Sequence, residues 1–181
     1  MIRCRPASYF AGPSVEGGFD ICASDRTAIP NGACMRVDEL GPAGMMVQSA
    51  DCVGDDKLRQ LANEAAQLLW PKRTVLLRLW NPVVWTEHDG QPSGLLLYSP
   101  VSDAGFVWVD LVYVRPDIRR RAICMTLLRH LLGVVSGYGA STIACSVHAN
   151  NYTMVKAVQL LGFQLEPDDG PYLLASRAIR G

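Results

Sequence analysis

The chain carries no excess of either charge: 17 Lys and Arg face 17 Asp and Glu. Without a net charge there is no global field to draw in nucleic acid or an anionic bilayer. No apolar run is long enough to cross a membrane, because Arg, Asp or Pro interrupts each candidate. The opening MIRCRPASYF holds arginines with no apolar segment behind them, so no secretory signal is expected. The six cysteines (Cys4, Cys22, Cys34, Cys52, Cys124, Cys145) form no CxxC pair and do not cluster with histidine at metal-ligand spacing. No metal centre is therefore expected, and reduced thiols in the cytoplasm are the simplest account. Cys124 and Cys145 fall inside apolar patterns, where cysteine acts as a small hydrophobe. Internal repeats and low-complexity runs are also absent. What remains is a chain of 181 residues, 49% hydrophobic, sufficient for one domain with a sizeable core and an extension.

Residues 1–43 keep no period, and Gly and Pro recur at Gly12-Pro13, Gly17-Gly18, Pro30-Asn31-Gly32 and Gly41-Pro42. They read as an irregular arm that lies across the molecule or meets a second copy, leaving the domain proper at 44–181. Gly44 to Gln48 reads as a first strand. Asp55 and Asp56 open a helix with Leu58, Leu61, Ala62, Ala65, Leu68 and Leu69 on one face. Thr74 to Trp80 fits a strand or a buried helical turn equally. Val83–Glu87 and Gly94–Ser99 form a hairpin about Asp89-Gly90, a pair suited to the positive φ angles of a tight turn.

The stretch that organises the chain is VWVDLVYVRPDIRRRAICMTLL, residues 107–128. Val107, Val109, Leu111, Val112 and Val114 make a buried strand that Pro116 stops. Ile123, Cys124, Leu127, Leu128, Leu131, Val134 and Val135 then recur at the three-and-four spacing of a helix face. A strand that turns sharply into a helix leaves the first helical N–H groups without intrahelical partners, at the positive end of the helix dipole. Arg119, Arg120 and Arg121 add charge there, so residues 119–125 are a candidate phosphate or pyrophosphate site. A solvated basic helix start is the plain alternative. Ser141 to His148 alternates as a strand with Ile143, Cys145 and Val147 on one side. Asn150 or Asn151 caps a second helix, Tyr152 to Leu161, which Gly162 ends. Phe163–Leu165 and Tyr172–Ser176 close the chain as two strands around an acidic loop. The class is mixed α/β or α+β.

Four pieces in this order resemble the GNAT superfamily of N-acetyltransferases, over roughly residues 44–177. They are the hairpin WTEHDGQPSGLLLY, the strand and loop LVYVRPDIRRRAIC, the strand IACSVHANN and the helix YTMVKAVQLLGF. The resemblance implies a mostly antiparallel central sheet flanked by helices, with acetyl-coenzyme A as cosubstrate. The family's loop, [Q/R]-x-x-G-x-[G/A], falls on Arg119-Arg120-Arg121-Ala122-Ile123-Cys124. Arginine stands first as expected, while Ala122 and Cys124 replace the glycines; a helical turn is expected not to need glycine's freedom there. The resemblance also implies that the backbone at Val112, Tyr113 and Val114 pairs with the acetyl-pantetheine arm. Amides from Arg120 to Met125 would hold the pyrophosphate, and Asn151 aligns with a cofactor-contacting asparagine.

Acetyl transfer needs a neutral amine, a polarised thioester carbonyl and a proton for the leaving thiolate. Relatives supply a tyrosine or a strand glutamate at positions that are Val158 and Ser146 here, and neither does that work. Local stand-ins are Tyr152 at the helix start, His148 at the strand end and Asp110 on the organising strand. Their plain readings are an exposed tyrosine, a hydrogen-bonded strand-end histidine and an acid paired with arginine. His88 and His130 read as solvated, and Cys145 and Ser146 as packing residues. Glu166, Asp168 and Asp169 could attract a cationic amine. The expected function is N-acetylation of a small-molecule or peptide amine, with neither nucleic acid nor membrane as partner. A catalytically silent protein of the same fold is the alternative. A nucleic-acid binder using the arginine run is the weaker third, opposed by the zero net charge.

Overall fold

A computed structural model of the protein describes residues 39–41, 45–69, 81–118 and 122–179. The stretch Thr74 to Trp80 and the arginine run 119–121 lie outside the described residues, as does the arm up to residue 38. The elements are β1 (Glu39–Gly41), β2 (Met45–Ala50), α1 (Asp56–Leu69), β3 (Val83–His88), β4 (Gln91–Tyr98), β5 (Phe106–Val114), α2 (Ile123–Gly137), β6 (Thr142–His148), α3 (Tyr152–Leu160), β7 (Gln164–Pro167) and β8 (Tyr172–Ala178). A 3₁₀ turn, Pro116–Ile118, follows β5. The sheet runs β1-β2-β3-β4-β5-β6-β8-β7. Every neighbouring pair is antiparallel except β5 with β6. β1 is a strand within the part of the chain read from sequence as irregular, and it pairs with β2.

Local chemistry fixes most of these boundaries. Asp55 Oδ1 accepts the Lys57 N–H at 2.7 Å and the Leu58 N–H at 3.3 Å, satisfying donors at the start of α1. Asp89 and Gly90 take φ of 53° and 69°, the two positive values of the tight hairpin turn between β3 and β4. Asn151 caps α3, its Oδ1 accepting the Met154 N–H at 3.3 Å. At the other end Gly162, at φ 78°, lets the chain leave the helix while the Phe163 N–H bonds back to the Val158 carbonyl.

Among the described residues two cores lie on opposite faces of the sheet. One is packed by α2 and α3, with Ile123, Leu127, Leu128 and Leu131 wholly buried. The burial of each such side chain contributes about 1.5–3 kcal/mol. The other is packed by α1 through Leu58, Leu61, Ala62 and Ala65. His130 belongs to the buried face of α2, only 6% exposed, and is not solvated as its polarity suggests. Its position, seven residues after Ile123 and three after Leu127, is a core position of the helix period.

β5 serves both cores because it contains a bulge. Leu111 pairs with Leu97 and Val109 with Tyr98, which leaves Asp110 as the extra residue. Val107 and Val109 join the α2 core, whereas Leu111 and Tyr113 join the α1 core. Val112 and Val114 return half-buried to the α2 side. The extra residue reverses which face the alternation serves.

Candidate active site

The bulge falls just past the last register pair between β5 and β6. That pairing covers Phe106 with Thr142, Val107 with Ile143, and Trp108 with Ala144. β5 continues to Val114 and β6 to His148, so the parallel neighbours part over their second halves. A bulge raises local twist and bends its strand, and here it does so where the two separate. The result is a cleft flanked by two strand edges, the geometry that accepts an extended ligand as an added strand.

Beyond the cleft lies the start of α2. Its first ladder bond runs from the Thr126 N–H to the Ala122 carbonyl at 3.1 Å. The amides of Ile123, Cys124 and Met125 therefore precede the ladder, at the positive end of a 15-residue helix. Ala122, the N-cap, sits at φ 57° and ψ 13°, in the left-handed region. The expectation that no glycine-like freedom is needed here is overturned: this backbone is not yet helical, and a Cβ in this region costs about 1–2 kcal/mol. The Cys124 Sγ lies 3.4 Å from the Met154 Sδ and is directed at α3. Burial pushes the Cys124 thiol up to about 11 and the Cys145 thiol up to about 12, so both remain thiols at neutral pH.

Glycine at position 94 lets α2 approach. A Cβ there would lie 3.0 Å from the Ile123 Cγ2 and 3.2 Å from the Tyr113 carbonyl oxygen. Tyr113 itself faces away from α2, its hydroxyl donating to the Glu64 carboxylate of α1 at 2.7 Å.

Asp110 accepts a hydrogen bond at 2.9 Å from the Asn81 amide, which is 3% exposed. Asn81 leads into Val83 of the α1 core, so Asp110 stands on the α1 side of the sheet. His148 closes β6. Its Nδ1 accepts the Asn150 N–H at 3.1 Å, and its ring meets that of Tyr172 edge-on at 5.2 Å. In the neutral ring this bond assigns the remaining hydrogen to Nε2. Tyr152, the first residue of α3, is 76% exposed and stands in solvent. Val158 is fully buried in the α2 core.

One pairing was not legible in the sequence. Ser146 Oγ donates to Asp168 Oδ2 at 2.8 Å. Ile143, Cys145 and Val147 of β6 face the α2 core, so Ser146 faces the α1 side, as Asp110 does across the cleft. The Asp168 loop is anchored by its own N–H to the Tyr172 carbonyl and by the Ala149 N–H to the Pro171 carbonyl. The charge of the acidic loop suits it to attract an amine, and its half-buried member, Asp168, is held on β6. A polar residue inside STIACSVH was the available signal, but nothing local named its partner.

Residues 56–163, more than half of the chain, match the Acetyltransferase (GNAT) family. The chain belongs to the GNAT family. Solved structures repeat its fold. Against N-acetylglutamate synthase from Neisseria gonorrhoeae, complexed with coenzyme A and N-acetyl-glutamate, the TM-score is 0.58 at 15% identity over 75% of this chain. The chain spans only 35% of that larger protein. The PaiA N-acetyltransferase from Thermoplasma acidophilum, in complex with coenzyme A, gives 0.58 at 14% identity, covering 73% of this chain and 98% of its own. The ribosomal-protein-S18-alanine N-acetyltransferase from Escherichia coli gives 0.55 at 16% identity, with 74% and 94% covered. No curated protein matches the chain. The GNAT resemblance and the mixed, mostly antiparallel sheet expected from sequence are both found. Among the described residues no helix is long and apolar enough to cross a membrane.

Proposed function

We propose that this GNAT-family chain is an acetyl-coenzyme A-dependent N-acetyltransferase acting by direct attack of an amine on the thioester. The amine belongs to a small molecule or a peptide, and the reaction is cytoplasmic. The observation that carries this reading is the parting of β5 from β6 beside the pre-ladder amides of Ile123, Cys124 and Met125. The acetyl-pantetheine arm would lie along Val112, Tyr113 and Val114 as an added strand. The pyrophosphate would meet the amides from Ala122 to Met125, with Arg119, Arg120 and Arg121 contributing charge and Asn151 beside the arm.

A backbone N–H near Val112 or Val114 would polarise the thioester carbonyl. As the C–N bond forms and the C–S bond breaks, the amine must shed a proton and the thiolate must gain one. Asp110 and Asp168 are acceptors on the amine side, directly or through water. His148 offers Nε2–H and Tyr152 a phenol, both donors, which suits them to the thiolate side. Use of His148 as a base would require it to give up the Asn150 bond.

Isothermal titration with acetyl-coenzyme A, followed by a thiol-release screen over amine acceptors, tests this. Saturable binding and acceptor-dependent release are expected; absence of binding at millimolar acetyl-coenzyme A overturns it. The silent alternative is favoured by Val158, buried where relatives supply a tyrosine. Binding without release for any amine would favour that alternative.

A further inference from the structure

A second concavity lies along the other end of α2. It is a groove of about 1110 Å³ between the outer face of α2, the last turn of α3 and the ends of β7 and β8. Arg129, Leu132, Gly133 and Ser136 of α2 line it at helical spacing, so one continuous stripe of the helix forms a wall. From Ile123, that stripe begins about 9 Å and ends about 20 Å along the helix axis. The groove is therefore separate from the amides proposed to hold pyrophosphate.

Its chemistry is one-sided although the chain as a whole is neutral. Among the described lining residues two are arginines, Arg129 and Arg177, and none is Asp or Glu. The other polar groups are neutral hydroxyls and an amide, including Ser136 and Gln164. Arg177 is fixed in place: its Nη1 donates to the Leu161 carbonyl at 2.5 Å, at the negative end of α3. A guanidinium held by one of its five donors presents the rest in a rigid fork suited to a carboxylate or phosphate. Apolar surface lies alongside, with Leu160 69% exposed at the rim and Ile179 half-buried. Gly133 opens the α2 wall, since a Cβ placed there meets nothing within 4 Å.

We propose that this groove binds a small organic anion, whose carboxylate or phosphate pairs with Arg129 and Arg177 while its apolar portion rests on Leu132, Leu160 and Ile179. The site is distinct from the acetyl-coenzyme A cleft and does not depend on the acetyltransferase reading. Isothermal titration of the full chain at constant ionic strength tests it, with adipate and glycerol 3-phosphate as probes. Their comparison tells which anionic group is preferred. Arg129→Ala removes one cation from an exposed position. Gly133→Leu fills the groove from a helix position with open space and leaves the core untouched. A saturable isotherm for at least one probe is expected, weakened tenfold or more by each substitution. Melting temperatures should equal or exceed the parent's in Gly133→Leu, and acetyl-coenzyme A binding should be unchanged in both variants. The proposal is overturned if neither probe binds at millimolar concentration. It is equally overturned if Gly133→Leu, folded by its melting curve, binds the probes as the parent does.

Discussion

Ser146 and Asp168, 22 residues apart in sequence, are joined by a 2.8 Å hydrogen bond that fastens the β7–β8 loop to the side of the cleft facing α1. Ser146 is 2% exposed, and a hydroxyl that donates to a carboxylate makes the stronger kind of hydrogen bond, contributing about 1.5–3 kcal/mol. If Asp168 receives the amine's proton, Asp168→Asn should lower thiol release by about 10²-fold or more, with acetyl-coenzyme A affinity unchanged. Ser146→Ala should lower it less, because the carboxylate remains but is no longer held. Steady-state rates and titration on the same two variants separate this from a loop-tethering role, which would lower the melting temperature and spare the rate.

Ala122 carries backbone strain at the start of α2. Ala122→Gly should stabilise the protein by about 1 kcal/mol, the left-handed penalty relieved less the entropy glycine adds to the unfolded chain. Urea denaturation measures it. A fall in stability on this substitution would mean that the alanine side chain contributes packing that outweighs its φ of 57°.

Much of the fold was legible because period and punctuation are local properties. The alternation over 107–114, the apolar stripe from Ile123, the Asp89-Gly90 turn and the Asn151 cap each declare an element within a few residues. The bulge at Asp110 was not legible. Its neighbours alternate in burial without interruption, and only the division of Val109 and Leu111 between two cores reveals the change of face. The burial of His130 has a related cause: its place inside the helix period outweighs the polarity of its side chain. The Ser146–Asp168 pair depends on where β8 and its loop lie against β6, a tertiary relationship that leaves no spacing to read. Of the site, the amides at 123–125 followed from the strand-to-helix junction, whereas the strain at Ala122 did not.

Alkaline pH should destabilise the fold through two thiols. Burial raises Cys124 from 9.0 to about 11 and Cys145 from 9.0 to about 12, so the folded chain keeps protons that the unfolded chain releases. Both thiols contribute their full stabilisation below pH 9.0 and lose it as pH climbs through about 11 and about 12. Each thiol adds a slope of about 1.4 kcal/mol per pH unit within its window. Burial raises the Tyr98 phenol as well and extends the trend. Denaturation midpoints measured from pH 8 upward should fall, and Cys145→Ala should flatten the decline. Alkylation near neutral pH should modify the exposed Cys52 well before the half-buried Cys124 or the buried Cys145.

Gly94 controls the seat of α2 and through it the cleft. A methyl at 94 would stand 3.0 Å from Ile123 Cγ2 and 3.3 Å from Leu127 Cδ1, while the Tyr113 carbonyl at 3.2 Å cannot rotate away. The helix must lift or the strand must shift, and overpacking of this kind costs about 1–3 kcal/mol. Because the displaced turn contains Ile123, Gly94→Ala should weaken acetyl-coenzyme A binding as well as lower stability. Gly133→Ala is the matched control on the far side of the same helix, with nothing within 4 Å of the added Cβ. It should gain up to about 1 kcal/mol from helix propensity and leave binding unaltered. Urea denaturation and titration of the two variants side by side give the answer. Equal acetyl-coenzyme A affinity in both would show that the α2 amides do not set the grip on the diphosphate.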